Sequence, residues 1–224
     1  MLRKILATLA FVGLLAALPA DAQLRPRPNP TDGKSWENGL EHEGHVLTVD
    51  LPGHEHMKNI GSYKDGAGMC VMSSIEMAAR WHGLDELRGL RNWCAKEGGG
   101  AYPSKVDSQL ARYFKEKGIP PIPYLQYEGK NPEKLMELID KTGRMACIAY
   151  GYSPRYGGKI SHMVCSPMYR GKYAVVLDNN FPGENKYEWM SKEELVNRMK
   201  SGGGAWVFVW LTPGPPPTPK NKSL

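Results

Sequence analysis

The sequence DGAGMCVMSSIEMAARWHG, residues 65–83, carries the strongest structural signal in the chain, because a glycine loop runs directly into a cysteine and a helical pattern. Apolar side chains recur at helical spacing after Val71, and the pattern predicts a helix over residues 69–83 that ends at Gly83. A cysteine in the first turn lies near the partial positive charge of unsatisfied N–H groups, which favours its thiolate form. Cys70 is therefore a candidate nucleophile; a small apolar residue covering the helix start is the alternative interpretation.

The segments around this helix divide the chain into a helical half and a strand-rich half. Helical spacing between Gly and Pro boundaries predicts further helices over residues 84–96, 105–117 and 131–143, and a capping pattern predicts a short one over 191–199. Short β-branched or aromatic runs predict strands over residues 145–150, 162–168, 173–177 and 206–211, and one strand-like piece lies at 45–51. Helices followed by an antiparallel sheet indicate an α+β domain.

A histidine and an acidic or amide side chain occur at matching ends of two predicted strands. His162 begins one strand, and the next strand ends at Asp178 and Asn179. In an antiparallel hairpin these ends are adjacent, so we expect Asp178 or Asn179 to reach the imidazole and fix its tautomer while the other nitrogen faces a thiol. The chain order Cys, His, then Asn or Asp fits nucleophile, base and orienting residue. A polar histidine at a strand edge is the alternative interpretation.

Together these segments resemble papain-like cysteine peptidases, and most closely the branch related to bacteriocin-processing (double-glycine) peptidases. The likeness rests on residues 66–78 as a nucleophile helix, on the histidine strand, on DNNFPG at 178–183 and on YEWMS at 187–191. It covers roughly residues 59–211, about two-thirds of the chain. It implies a papain-like α+β fold in which an N-terminal helical half with the cysteine helix packs against a C-terminal antiparallel β-sheet.

The resemblance implies Cys70 as nucleophile and His162 as base, and it leaves the third residue open. Asp178 lies sixteen positions after His162, the spacing typical of both the papain branch and the double-glycine branch. The aromatic and glycine that follow favour Asn179 instead, with Phe181 shielding the histidine pair. We expect a cysteine-type peptidase, a hydrolase that cleaves a peptide or amide bond through an acyl-enzyme and needs no metal or organic cofactor.

The chain departs from the family pattern upstream of the cysteine. The resemblance implies a glutamine about six residues before Cys70, and Lys64 stands there. Either another donor replaces the glutamine (Asn59, Lys64 or a loop N–H), or catalysis is weak, because one lost oxyanion donor lowers the rate on the order of 10²–10³-fold. The alternatives are a catalytically inactive binding or assembly module, and a cell-wall amidase or transglutaminase-like amide transferase.

The two ends of the 224-residue chain differ in composition from its middle. Residues 1–22 combine a cationic start, an apolar run and small residues before Gln23, which predicts a signal peptide and an exported protein, periplasmic or extracellular. A retained membrane anchor is the alternative, and no later segment is apolar enough to span a membrane. Residues 23–35 are a predicted Pro-rich linker, 36–212 the peptidase-like domain and 213–224 a disordered Pro/Lys-rich tail.

Charge and histidine content bear on partners. The formal net charge is +6, but the basic residues are scattered, so we expect no nucleic-acid partner. The expected substrate is a peptide or protein. The protein is expected to be a monomer. Four histidines in residues 42–56 have spacings that can bind zinc or copper, yet a solvated polar arm fits this segment better, and we expect no metal site. In an oxidising compartment Cys147 and Cys165 could pair if their strands are adjacent, and burial without any disulfide is an equally weighted interpretation.

Overall fold

The computed structural model describes residues 40–47, 51–61, 67–183 and 186–212. The predicted signal peptide (1–22), linker (23–35) and tail (213–224) lie outside these ranges, as does Lys64. Within the described ranges, every helix is too short or too polar to cross a membrane.

Five α-helices and eight strands make up the described fold. The helices are α1 (Cys70–Trp81), α2 (Leu90–Cys94), α3 (Pro103–Lys117), α4 (Glu133–Lys141) and α5 (Lys192–Lys200). The strands are β1 (Glu41–His42), β2 (His45–Val46), β3 (Tyr124–Gly129), β4 (Ala146–Ser153), β5 (Gly158–Arg170), β6 (Tyr173–Leu177), β7 (Tyr187–Ser191) and β8 (Ala205–Trp210).

One six-stranded sheet organises the molecule, in the order β3-β8-β4-β5-β6-β7, and every neighbouring pair is antiparallel. The predicted α+β class with an antiparallel sheet is therefore confirmed. Successive side chains of a strand point to opposite faces of the sheet. In this sheet both faces carry a buried core. Cys147 and Cys165 belong to the core shared with α1 and α3, whereas Ile148 and Val164 belong to the core shared with α4 and α5.

The segment predicted as one helix over residues 84–96 is wrong as a continuous helix. Only Leu90–Cys94 is α-helical, between single 3-10 turns at Asp85–Leu87 and Ala95–Glu97. Gly89 has a left-handed backbone (φ 90°) that interrupts the helix. The buried carboxylate of Glu76 in α1 accepts hydrogen bonds from the N–H groups of Gly89 (3.0 Å) and Arg91 (2.8 Å), so a side chain satisfies donors at the start of α2.

The strands also differ from the sequence expectation in several places. The strand-like piece at residues 45–51 is described as a strand only at His45–Val46, and residues 48–50 lie outside the described ranges. β3 was not predicted; it pairs along its whole length with β8. β5 begins at Gly158, so His162 lies inside that strand opposite Tyr150 of β4, and not at its start.

Candidate active site

Cys70 is the first residue of α1 and is partly exposed. The loop before Cys70 is hydrogen-bonded to a segment distant in sequence: the N–H of Gly100 donates to the carbonyl of Gly68 at 2.9 Å. Gly100 has a φ of +67°, and a Cβ there would lie 3.1 Å from the Cβ of Ala67, so a side chain at this position would be strained and crowded. The glycine run that the sequence places between α2 and α3 thus packs closely against the loop that leads into the helix.

The Cys70 thiol and the His162 imidazole favour each other's charged forms through hydrogen bonding and charge. Burial raises the pKa of the Cys70 thiol, but the hydrogen bond and charge of His162, with backbone hydrogen bonds from Met163 and Val71, outweigh burial and lower the pKa below its usual value. A hydrogen bond lowers an acid's pKa when it favours the charged form, so these groups favour the thiolate.

Asp178, the residue directly after β6, contacts the other side of the His162 ring. Its Oδ1 lies 2.8 Å from Nε2 of His162 and accepts the backbone N–H of Asn180 at 2.9 Å, while Oδ2 accepts the Tyr156 hydroxyl at 2.6 Å. Burial disfavours the ionised carboxyl, yet His162, Tyr156 and the nearby Arg155 charge hold the pKa of Asp178 below its usual value. Because a carboxylate only accepts hydrogen bonds, Nε2 carries a proton and Nδ1 is the nitrogen left for Cys70.

The electrostatics of this chain favour an ion pair between sulfur and imidazole. Burial lowers the pKa of His162, but the charge and hydrogen bond of Asp178, followed by those of Cys70, raise it well above its ordinary value. A raised imidazole pKa beside a lowered thiol pKa favours the thiolate–imidazolium form of the pair. His162 and Asp178 are buried, at 3% and 1% exposed, so their contact is shielded from water.

Asn179, the alternative third residue, does not contact the imidazole through its described hydrogen bonds. Its buried side-chain amide donates to the carbonyl of Cys70 (3.1 Å), to the carbonyl of Met163 (2.8 Å) and to Ser74 Oγ (2.9 Å). The structure therefore places Asp178 on the ring, while Asn179 joins the nucleophile helix to the histidine strand. Asn179 belongs to the turn that follows β6, in which the N–H of Phe181 donates to the carbonyl of Asp178 at 2.9 Å, so the two consecutive side chains have different environments.

Tyr156 is a site residue that the sequence analysis missed, and it corrects the expectation for Phe181. The Tyr156 ring stands edge-on to His162, with centroids 5.4 Å apart, and its hydroxyl binds Asp178. Phe181 packs one step further out, against Tyr156 at 5.9 Å and beneath the Arg155 guanidinium at 3.5 Å. The aromatic side chain beside the histidine is thus Tyr156, from the turn between β4 and β5.

Replacing Tyr156 with phenylalanine should weaken the acceptor that holds the imidazolium. The variant keeps the ring but removes one charge-assisted donor to Asp178, a loss of about 1.5–3 kcal/mol for that carboxylate. We expect the midpoint of Cys70 alkylation against pH to move upward by about one pH unit. Tyr152→Phe is the matched control, since Tyr152 is 40% exposed. An unchanged midpoint in Tyr156→Phe would contradict the positioning role.

Of the side chains proposed as oxyanion donors, the structure describes Asn59 but not Lys64. Asn59 lies beside the site: its backbone N–H donates to the carbonyl of Asn179 at 2.7 Å, and its side-chain amide donates to Oδ1 of Asn180 at 3.0 Å. Lys64 lies outside the described ranges. The backbone groups of Val71 and Met163 approach the sulfur itself.

The histidines of the N-terminal arm are placed separately from this site. His42 packs edge-on to Tyr173, at 4.7 Å between centroids. His56 is fixed between backbone groups, with Nε2 2.7 Å from the carbonyl of Leu51 and Nδ1 accepting the N–H of Gly183 at 3.1 Å. Across the described ranges, no three His, Cys, Asp or Glu side chains converge in a way that would hold a metal ion.

Comparison of the chain with models of known protein families gave no match, and comparison with curated protein sequences gave none either.

Proposed function

We propose that this protein is a papain-like thiol hydrolase that cleaves a peptide or amide bond, with Cys70 as nucleophile, His162 as base and Asp178 as the residue that orients the base. The observation that carries the proposal is the arrangement of Cys70 beside His162, whose Nε2 lies 2.8 Å from the buried carboxylate of Asp178. Asp178 is buried and accepts three hydrogen bonds, one of them from an imidazole that faces a thiol. Packing alone does not require this arrangement, and ionisable groups with shifted pKa values are concentrated at functional sites. The proposal includes export, in line with residues 1–22.

The reaction follows from these three side chains. The Cys70 thiolate attacks the substrate carbonyl carbon, and the tetrahedral oxyanion is stabilised by the N–H of Cys70 with a second donor. The imidazolium of His162 gives its Nδ1 proton to the leaving amine as the C–N bond breaks. The neutral imidazole then takes a proton from water, whose oxygen attacks the thioester carbonyl and releases the acid and the thiolate. Asp178 keeps the Nε2 proton in place throughout.

Alkylation with iodoacetamide at pH 6 tests the activated thiol. We expect fast modification confined to Cys70, because Cys94, Cys147 and Cys165 are fully buried. His162→Ala should slow the reaction at pH 6 by on the order of 10²-fold, because the thiol then loses the partner that lowers its pKa. His54→Ala is the matched control, a histidine whose side chain is 70% exposed. Equal, slow labelling of all thiols in the wild type would contradict the proposal.

The absence of the usual glutamine, with Lys64 in its place, favours one second candidate: a binding or assembly module with the same fold. A peptide library separates the two. A hydrolase yields cleavage products that disappear in Cys70→Ser, while a binding module yields none even when Cys70 is reactive. Adding a primary amine to the same assay tests amide transfer, which would give amine adducts in place of free acids.

A further inference from the structure

Two cysteines outside the proposed site face each other across the sheet. Cys147 of β4 and Cys165 of β5 are directly opposite in the antiparallel register. Both are fully buried in the core on the α1 side of the sheet, and both are free thiols. Opposite residues on antiparallel strands have Cα atoms about 4.5 or 5.5 Å apart, and both values lie inside the range of about 4.4–6.8 Å that a disulfide spans.

The two thiols are close enough for Cys165 to contribute, after burial, to the raised pKa of Cys147. Cys165 Sγ also donates to the carbonyl of Ser74 at 3.2 Å, one helical turn after Cys70 in α1. Burial raises the pKa of Cys147 well above that of an ordinary thiol, so in the finished fold this group is protonated and unreactive. Any chemistry between the two sulfurs therefore belongs to the folding chain, when both are accessible.

We propose that Cys147 and Cys165 form a cross-strand disulfide when the chain folds in the presence of a small-molecule disulfide oxidant. The two S–H bonds break, one S–S bond forms between the strands, and the oxidant's disulfide is reduced to two thiols that receive both protons and both electrons. The inference is independent of the proposed hydrolase, because it involves neither Cys70 nor His162.

The bridge has two structural consequences. It joins β4 to β5 and closes a short loop, which should raise the unfolding temperature by roughly 5 °C or more over the reduced protein. It also removes the S–H that Cys165 donates to Ser74, so the carbonyl one turn after Cys70 loses a donor. The oxidised and reduced proteins should therefore differ in stability while keeping the same sheet.

Refolding tests the proposal. Cys70→Ser protein, which retains three thiols, is unfolded in guanidinium and refolded either with reduced and oxidised glutathione or with dithiothreitol. After an acid quench, N-ethylmaleimide is added in denaturant and the intact mass is measured. We expect one maleimide on the glutathione-refolded protein, at Cys94, and three on the dithiothreitol-refolded protein, with peptide mapping linking Cys147 to Cys165.

Every other outcome overturns the proposal. Three maleimides after oxidative refolding, glutathione adducts on both cysteines, or a bridge that includes Cys94 would each exclude the assigned pair. Cys165→Ala in the same background should give two maleimides under both conditions, and Cys94→Ser should keep the bridge. A refolded sample is scored only where circular dichroism matches that of the protein before unfolding, so a misfolded variant cannot count for either result.

Discussion

Asp178→Asn should slow Cys70 alkylation at pH 6 on the order of 10²-fold and lower kcat on a cleaved peptide by about 10³–10⁴-fold. The amide is nearly isosteric but neutral, so the largest contribution that offsets the burial of a charged His162 is lost and only that of Cys70 remains. An asparagine that turns its NH₂ toward Nε2 would also select the wrong tautomer, leaving Nδ1 protonated beside a protonated thiol. The thiol pKa then rises, because its cationic partner is lost.

The pH profile distinguishes this electrostatic loss from simple damage to the fold. In the wild type, alkylation should fall less steeply as the pH is lowered from neutral than in the variant, because the lowered pKa of Cys70 and the raised pKa of His162 favour the ion pair. In Asp178→Asn, the rate should climb with pH and approach the wild-type rate only in alkaline solution.

Asp140→Asn supplies the matched control for that experiment. Asp140 is another carboxylate with little exposure, and it accepts the backbone N–H of Tyr169 at 2.9 Å and the guanidinium of Arg170. It lies on α4, on the sheet face away from α1, so its variant should alter stability and leave the alkylation profile unchanged. A profile like that of the wild type in Asp178→Asn with normal circular dichroism would refute the assignment of Asp178.

Gly151→Ala should destabilise the fold by about 3 kcal/mol or more, at the upper end of overpacking effects. A Cβ at Gly151 would lie 2.0 Å from the backbone nitrogen and 2.3 Å from the Cα of Gly202, so main chain, and not a movable side chain, occupies the space. Gly151 sits at an irregularity in β4 between Tyr150 and Tyr152, where the turn after α5 crosses the strand. The alanine side chain can be accommodated only if β4 moves away from that turn.

Urea unfolding measures this effect, and Gly61→Ala is the control. Among the residues that the structure describes, none places an atom within 4 Å of a Cβ built at Gly61. That variant should change the free energy of unfolding by less than about 0.5 kcal/mol. Because Tyr150 pairs with His162, the Gly151 variant should also show slower Cys70 alkylation in the fraction that remains folded. Equal stability of the two variants would contradict the close approach.

Local sequence patterns were enough to predict the helices whose first and last residues carry their own start and stop signals. α1 needed only the apolar spacing after Cys70, and α3 has a proline at its first turn and Gly118 in the left-handed conformation at its end. Ser191 accepts the backbone N–H of Glu194 at 3.0 Å, as the capping pattern predicted. In each case the information lies within a few residues of the element it specifies.

The features that were missed depend on contacts between distant segments. β3 contains polar and exposed positions, and it is a strand because β8 pairs with it. The contact between Tyr156 and Asp178 joins a turn to a strand end across 22 residues, and no spacing in either segment indicates it. The choice between Asp178 and Asn179 was likewise open in the sequence, because it depends on which way two consecutive side chains point at the end of β6.

The sheet order has a consequence for synthesis on the ribosome. β8, the last described strand along the chain, lies between β3 and β4, so a nascent chain shorter than about 205 residues lacks the strand that joins these two. Domains fold as units while the chain emerges. The sheet that contains the His162 strand therefore lacks a central strand until the chain has been synthesised through about residue 210.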